Sequence, residues 1–265
     1  MRGFRELDRI LRGDTTAPGR TGLDVPLGPL LTANVLLAAA YGVCMGFFGV
    51  FGRDEPDLRF VLADAVKVPL LFLLTLLVTF PSLYVFNALV GSRLGFFDLM
   101  RLVACALGVL VAVLAAFGPI VAFFSVTTTS YPFIVLLNVA VFALAAGFAV
   151  VFLLRAVDRF TTPLPIPPAD ASALPPVVAT LEGEPEGERA ERRPRARPVP
   201  PPEPDPKVWA VMRLWLVVFA LVGGQMSWVL RPFIGSPQTE FTWFRPRDGS
   251  FFEGVMKSLH MLFGH

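Results

Sequence analysis

Five long apolar stretches, separated by polar segments, dominate the pattern of the chain. They cover residues 29–51, 60–90, 99–125, 132–154 and 208–230. Each is long enough to cross the hydrocarbon core of a bilayer, which takes about 20 helical residues. The pattern therefore predicts an all-α protein, a polytopic membrane bundle of five transmembrane helices.

A shorter segment at the start of the chain shows a helical period with one apolar face. In residues 2–12 this face consists of Phe4, Leu7, Ile10 and Leu11, and arginines occupy much of the remainder. An apolar face beside a basic one is typical of a helix that lies at the membrane surface. A solvated helix packed on the ends of the spans is an equally good interpretation. We expect an N-terminal amphipathic helix in either case.

The segment after the last span is rich in aromatic residues and arginine, a composition suited to the bilayer interface. Ser250 and Glu253 have the spacing of a capping box, and an apolar helical face follows them. We predict a C-terminal amphipathic helix on the outer surface, with an oligomer contact or docking onto a membrane-protein partner as the competing use. The candidate interface residues are Arg231, Phe233, Trp243, Phe244, Phe251 and Phe252.

Composition agrees with a membrane protein. Hydrophobic residues make up 54% of the 265, above the roughly 45–50% apolar share of soluble domains. Mean hydropathy is +0.63. Both cysteines, Cys44 and Cys105, lie inside spans, where a thiol behaves as a small hydrophobe. We therefore expect no disulfide framework.

The placement of positive charge predicts the orientation. The N-terminal segment and the second and fourth connections contain 15 Lys and Arg residues, with Arg101 at the start of the third span counted among them, against 6 in the alternate segments. Positively charged loops tend to stay in the cytoplasm. We expect a cytoplasmic N-terminus and an outward C-terminus, and 20 Arg against 3 Lys suits a GC-rich bacterial genome. The expected location is a bacterial inner membrane.

A proline-rich segment separates the fourth span from the fifth. Residues 161–206 contain 14 prolines, and an acidic patch there passes into a cluster of arginines. Dense proline and low apolar content favour an extended, mostly disordered linker. A peptide for a groove that binds polyproline II, or a basic patch for anionic lipid, is the sharper alternative. The predicted units are a cytoplasmic segment (1–27), a four-helix block (28–160), this linker (161–206), a fifth helix (207–234) and an outer tail (235–265).

A few polar residues inside the spans are the candidates for function: Asn34, Asp64, Lys67, Asn87, Asn138, Gln225 and Ser227. Asp64 and Lys67 are three residues apart and can meet on one helical face. A buried pair would mark a substrate or proton path, whereas snorkelling to the headgroups is the simpler interpretation, which we favour. The amides would either converge on a polar interior or, as we favour, join helices. Pro69 and Pro81 predict a bend in the second span.

Reactive chemistry has no support in the sequence. The histidines, His260 and His265, are both at the C-terminus, and the chain has no HExxH or paired-cysteine spacing. No G-x-S-x-G elbow or Walker loop is present. We expect no enzymatic activity, no cofactor or metal and no nucleic-acid partner. Membrane lipids, a membrane-protein partner or a second copy of the chain are the expected partners.

Two resemblances follow from these features. Five spans with the predicted topology, and Gly28-Pro29 at the start of the first, resemble the Yip-domain family over residues 28–230, although the proline-rich insert departs from its short connections. The segments 225–228 and 231–235 (QMSW and RPFIG) resemble the C-terminal part of uncharacterised bacterial multi-pass proteins. Neither resemblance implies catalytic residues, and a role in membrane trafficking or organisation transfers by analogy.

The sequence thus favours a non-enzymatic membrane scaffold or an accessory subunit of a membrane complex. A small transporter or channel that uses the polar residues of the second and fifth spans is the alternative. An intramembrane enzyme ranks third.

Overall fold

The computed structural model describes residues 2–12, 25–51, 57–89, 95–161, 206–231, 233–234, 240–244 and 249–263. Seven helices make up the regular structure of these residues. They are α1 (Arg2–Leu11), α2 (Leu27–Phe51), α3 (Arg59–Leu89), α4 (Phe96–Thr127), α5 (Tyr131–Thr161), α6 (Pro206–Leu230) and α7 (Phe251–Phe263). Within these ranges no residue lies in a β-strand. α2 to α6 are each long and apolar enough to cross a membrane. The predicted all-α fold with five spans and an amphipathic helix at each end is confirmed.

α3 and α4 are longer than the crossing of a bilayer requires. α3 and α4 contain 31 and 32 residues, or about 46–48 Å at 1.5 Å per residue, against a hydrocarbon core of about 30 Å. Their ends therefore project into the headgroup regions or the helices tilt. α3 remains one helix through Pro69 and Pro81. The proline-rich segment between Thr161 and Pro206 lies outside the described residues.

α2 is the central helix of the bundle, because it packs along both α3 and α4. α5 packs on α4, and α6 packs on α3. Along α2, Gly42 lies beside Asp64 of α3 and Gly49 lies beside Phe60. Along α6, Trp215 donates to the Thr79 carbonyl of α3 and Gly223 lies beside Thr75. α3 therefore runs antiparallel to α2 and to α6, so that α6 ends on the same side as α2.

The two amphipathic helices lie at opposite ends of the bundle. α1 packs against α2 and α4 near the start of α2, which we call the α1 end. α7 packs against α5 and against the last turns of α6, at the α7 end. The Glu253 amide donates to the Ser250 hydroxyl over 3.4 Å, so Ser250 caps α7 as its spacing predicts.

Part of the apolar face of α1 packs on the bundle, and the rest is exposed. Leu7 and Ile10 are buried, whereas Phe4 and Leu11 are 44% and 51% exposed. The two interpretations of this helix thus combine: it packs on the spans and also keeps apolar side chains available for lipid.

Candidate functional site

Three glycines of α2 bring α3 unusually close to it. A Cβ atom at Gly42 would overlap the backbone carbonyl of Asp64, and one at Gly46 would lie 2.7 Å from the Cα of Val61. A Cβ at Gly49 would lie 2.7 Å from the Cβ of Phe60. No larger residue fits these positions without a shift of α3. Small residues at this spacing are the usual means by which membrane helices approach closely.

The glycine face of α2 buries Asp64. Its side chain is 0% exposed, and its Oδ2 lies 3.3 Å from the position that a Cβ at Gly46 would take. Neither carboxylate oxygen accepts a hydrogen bond from the described residues. Lys67, one turn along α3, supplies an attractive positive charge. An acidic group in such surroundings is costly to maintain, and groups of this kind are often functional.

Lys67 is covered by the C-terminal tail. Its side chain is 2% exposed, and its Nζ donates to the backbone carbonyl oxygen of Trp243 over 2.6 Å. The same nitrogen lies 5.9 Å from the Trp243 ring centroid and 5.5 Å from that of Phe244, within range of cation–π attraction. The folded-back tail thus encloses the ammonium, and the snorkelling of Lys67 to the headgroup level stays a prediction.

Aromatic contacts hold this part of the tail in place. Phe241, Trp243 and Phe244, which we call the aromatic lobe, lie against the start of α3. Phe241 meets Phe60 edge to face at 5.0 Å between ring centroids, and Trp243 at 5.7 Å. Trp243 and Phe244 are still 53% and 61% exposed. The lobe therefore covers Lys67 with one side and presents the other outward.

Asn34 and Asn138 each connect two helices. The Asn34 amide nitrogen donates to the Ala104 carbonyl of α4 over 3.0 Å. Asn138 of α5 accepts a 2.9 Å hydrogen bond from the buried Tyr41 hydroxyl of α2, and its own amide donates to Ile134. The Asn34 Oδ1 accepts no hydrogen bond from the described residues. No hydrogen bond joins these two amides to each other, so each belongs to a separate contact.

The remaining candidates do not extend this polar interior. Asn87 is half-buried near the end of α3, and Gln225 is exposed on α6. The Ser227 hydroxyl donates to the Gly224 carbonyl of its own helix over 2.7 Å, rather than to a neighbouring helix.

The seam between α3 and α6 contains polar residues that sequence reasoning missed. Thr75 and Thr79 are buried and donate to carbonyls one turn back in α3. The indole nitrogen of Trp215, on α6, donates to the Thr79 carbonyl over 3.1 Å. A Cβ at Gly223 would lie 3.5 Å from the Thr75 methyl. In the sequence, small and hydroxyl residues spaced one helical turn apart were the available signal for this contact between α3 and α6.

The candidate interface residues divide between packing and exposure. The Trp228 indole donates to the Gly249 carbonyl over 2.9 Å, and the Arg231 guanidinium carbon stacks 4.0 Å above the Trp228 ring. Phe251 packs against Gly224, and Phe233 is half-buried against the core. Phe252 is 49% exposed and belongs to the outward side of α7.

The described residues thus contain two buried ionisable residues, Asp64 beside α2 and Lys67 beneath the aromatic lobe, together with two amide bridges between helices and a threonine seam. Within these residues no ion pair joins Asp64 to Lys67. Comparisons of the chain with protein-family models, with curated proteins and with solved structures find no match.

Proposed function

We propose that the chain is a non-enzymatic scaffold or accessory subunit of a membrane complex. The observation that carries this proposal is the burial of Asp64 and Lys67 within the structure. Asp64 and Lys67 are 0% and 2% exposed, and both lie within a span. A residue that handles a substrate must be reachable by it, whereas a residue that holds helices together need not be.

The space beside the polar residues supports the same role. A void next to Asn34, bordered by Pro69 and Leu107, measures about 10 Å³, room for about one water molecule. The seam between α2 and α3 is closed by backbone contact at Gly42 and Gly46. Within this proposal, the hydrogen bonds of Asn34 to Ala104 and of Tyr41 to Asn138 serve to connect helices.

The surface of α6 supplies the strongest reason to expect a protein partner. Among the spans, α6 packs mainly on α3. Only 11% of the most apolar stretch of α6 is buried. Leu214, Val217 and Leu221 are 54%, 56% and 47% exposed. A further transmembrane helix, from another protein or a second copy of this chain, matches this surface in apolar character.

α7 adds a second surface at the same end of α6. Phe252, Met256 and Phe263 are 49%, 64% and 72% exposed, although α7 already packs on α5 and α6. Exposed apolar residues next to a packed face suit either the outer leaflet or a partner that covers both α6 and α7. In the proposal, the excess of positive charge on alternate connections puts the N-terminus in the cytoplasm of a bacterium and α7 outside.

Site-specific photo-crosslinking in the native membrane tests the proposal. A photoreactive residue at Val217 on α6 is compared with one at Ile120, which is 46% exposed on α4. We expect a discrete protein adduct from Val217 and lipid adducts alone from Ile120. Lipid adducts at both positions, together with a monomer in native mass spectrometry, would contradict a scaffold role.

A small transporter or channel is the second candidate, favoured by one observation: a buried acidic side chain within a span whose oxygens accept no hydrogen bond from the described residues. Asp64→Asn, Lys67→Met and Asn87→Leu test it in reconstituted vesicles. Ion or solute flux that the wild-type protein supports and these variants abolish would favour transport, whereas unchanged flux would remove these residues from any path.

A further inference from the structure

The positive charges of α1 are not all neutralised by its own acidic residues. Arg9 pairs with Glu6 at 3.4 Å, and Arg12 pairs with Asp8 at 3.0 Å. Arg2 and Arg5 are exposed. They are one helical turn apart and form no ion pair with the described residues. They present two adjacent guanidinium groups at the α1 end of the bundle.

A groove lies beside Arg2, the first of these two arginines. Gly3 allows the backbone of α1 to contact the Pro29 carbonyl of α2, because a Cβ at this position would overlap that carbonyl. The space next to this contact has a volume of about 290 Å³ and opens to the outside of the bundle. Its lining includes Arg2, Gly3 and Phe4 from α1 and Pro29, Thr32 and Leu36 from α2.

The lining of the groove combines charged, polar and apolar side chains. Arg2 is its charged member, and the exposed Thr32 of α2 is its hydroxyl member. Leu36 lies one turn further along α2 and is 52% exposed, and Phe4 of α1 is 44% exposed. A phospholipid combines the same kinds of group, a charged phosphate and apolar acyl chains.

We propose that this groove binds an anionic phospholipid, with its phosphate at Arg2 and Arg5 and an acyl chain along Phe4 and Leu36. Arginine forms bidentate, charge-assisted hydrogen bonds to phosphate oxygens. A zwitterionic lipid brings a positive headgroup to the same place, which the two arginines oppose. This inference goes beyond the scaffold proposal and does not depend on it.

A native mass-spectrometric lipid titration of the full chain in mild detergent tests the site, with phosphatidylglycerol and phosphatidylcholine of the same acyl chains. The test variant combines Arg2→Gln with Arg5→Gln. The matched control combines Arg9→Gln with Arg12→Gln, which removes the same charge from the last turn of α1 and the residue that follows it. We expect the test variant to bind phosphatidylglycerol about tenfold more weakly, the loss typical of a charge-assisted hydrogen bond, and the control to match the wild type.

A second variant tests the groove without a change of charge. Thr32→Trp fills the space between α1 and α2, and we expect it to remove the preference for phosphatidylglycerol. Arg2, Arg5 and Thr32 are exposed, so circular dichroism should show wild-type helicity in each variant. Equal binding of the two lipids by the wild-type protein, an equal loss in both double variants, or retained preference in Thr32→Trp would overturn the proposal.

Discussion

The Lys67 ammonium donates to the backbone carbonyl of Trp243 over 2.6 Å, joining residues that are 176 positions apart. This hydrogen bond fixes the aromatic lobe to the start of α3. Because Lys67 is 2% exposed, the tail forms part of the enclosure around a charge within a span.

Lys67→Met should release the aromatic lobe. The variant removes the donor to Trp243 while keeping an apolar side chain of similar length. We expect amides of residues 241–244 to exchange hydrogen about tenfold faster, as for the loss of roughly 1.4 kcal/mol of local stability, measured by hydrogen–deuterium exchange. Arg59→Met is the matched control, since Arg59 is exposed at the start of the same helix. Equal exchange in both variants would show that the lobe is held by its aromatic contacts alone.

Gly42→Ala should destabilise the bundle, because the added methyl group overlaps the Asp64 carbonyl. Overpacking of this kind costs about 1–3 kcal/mol. Gly147→Ala is the matched control: a Cβ there meets nothing within 4 Å, and alanine is favoured over glycine in a helix by about 0.5–1 kcal/mol. The midpoint temperature of thermal unfolding in detergent should be lower than that of the wild type for Gly42→Ala only. A similar midpoint for both would contradict the close approach of α2 and α3.

Tyr41→Phe and Asn138→Ala should be energetically coupled. The Tyr41 hydroxyl donates to Asn138 over 2.9 Å between α2 and α5, and hydrogen bonds between membrane helices contribute about 0.6–1.7 kcal/mol. A double-mutant cycle on unfolding free energy should recover a coupling of about 1 kcal/mol. Tyr84→Phe, at an exposed tyrosine of α3, should show no coupling to Asn138→Ala. Additive effects of the Tyr41 and Asn138 variants would argue against the hydrogen bond.

A disulfide between Thr75→Cys and Gly223→Cys should form readily in a background with Cys44 and Cys105 replaced by alanine. A Cβ at Gly223 would lie 3.5 Å from the methyl group of Thr75 and 4.0 Å from its hydroxyl oxygen, so that sulfur atoms on the two side chains would be neighbours. Trp215→Phe should slow the crosslink, because it removes the indole donor to the Thr79 carbonyl that joins α6 to α3. A pair at Gly147 and Gly223 serves as the negative control. Failure of the first pair to crosslink would disprove the seam between α3 and α6.

Periodicity and length alone predicted the spans and the two amphipathic helices. The apolar stretch at 99–125 became α4 (Phe96–Thr127), and the predicted cap at Ser250 is present. These features depend on local sequence, since a span needs only apolar length and a cap needs only a side chain at the right offset.

The choice of neighbouring helices could not be predicted in the same way. Lipid-facing and buried faces are both apolar: Leu214 and Val217 are exposed, whereas Trp215 on the same helix is buried. Hydropathy therefore does not identify the packed face. The spacing of Gly42, Gly46 and Gly49 was a usable signal for the contact with α3, because glycine permits close approach. The cover over Lys67 had no local signal, since it comes from a distant segment.

The contact between Lys67 and Trp243 also imposes an order on biosynthesis. Lys67 enters the membrane while the chain is still growing, and at about 5–20 residues per second the 176 residues to Trp243 take roughly 9–35 s to synthesise. During that interval α3 contains a charged side chain without its final carbonyl acceptor or aromatic cover. A chain that stops before residue 243 keeps this uncovered charge permanently, so a truncated product differs from the complete protein inside the bilayer and not only at its missing end.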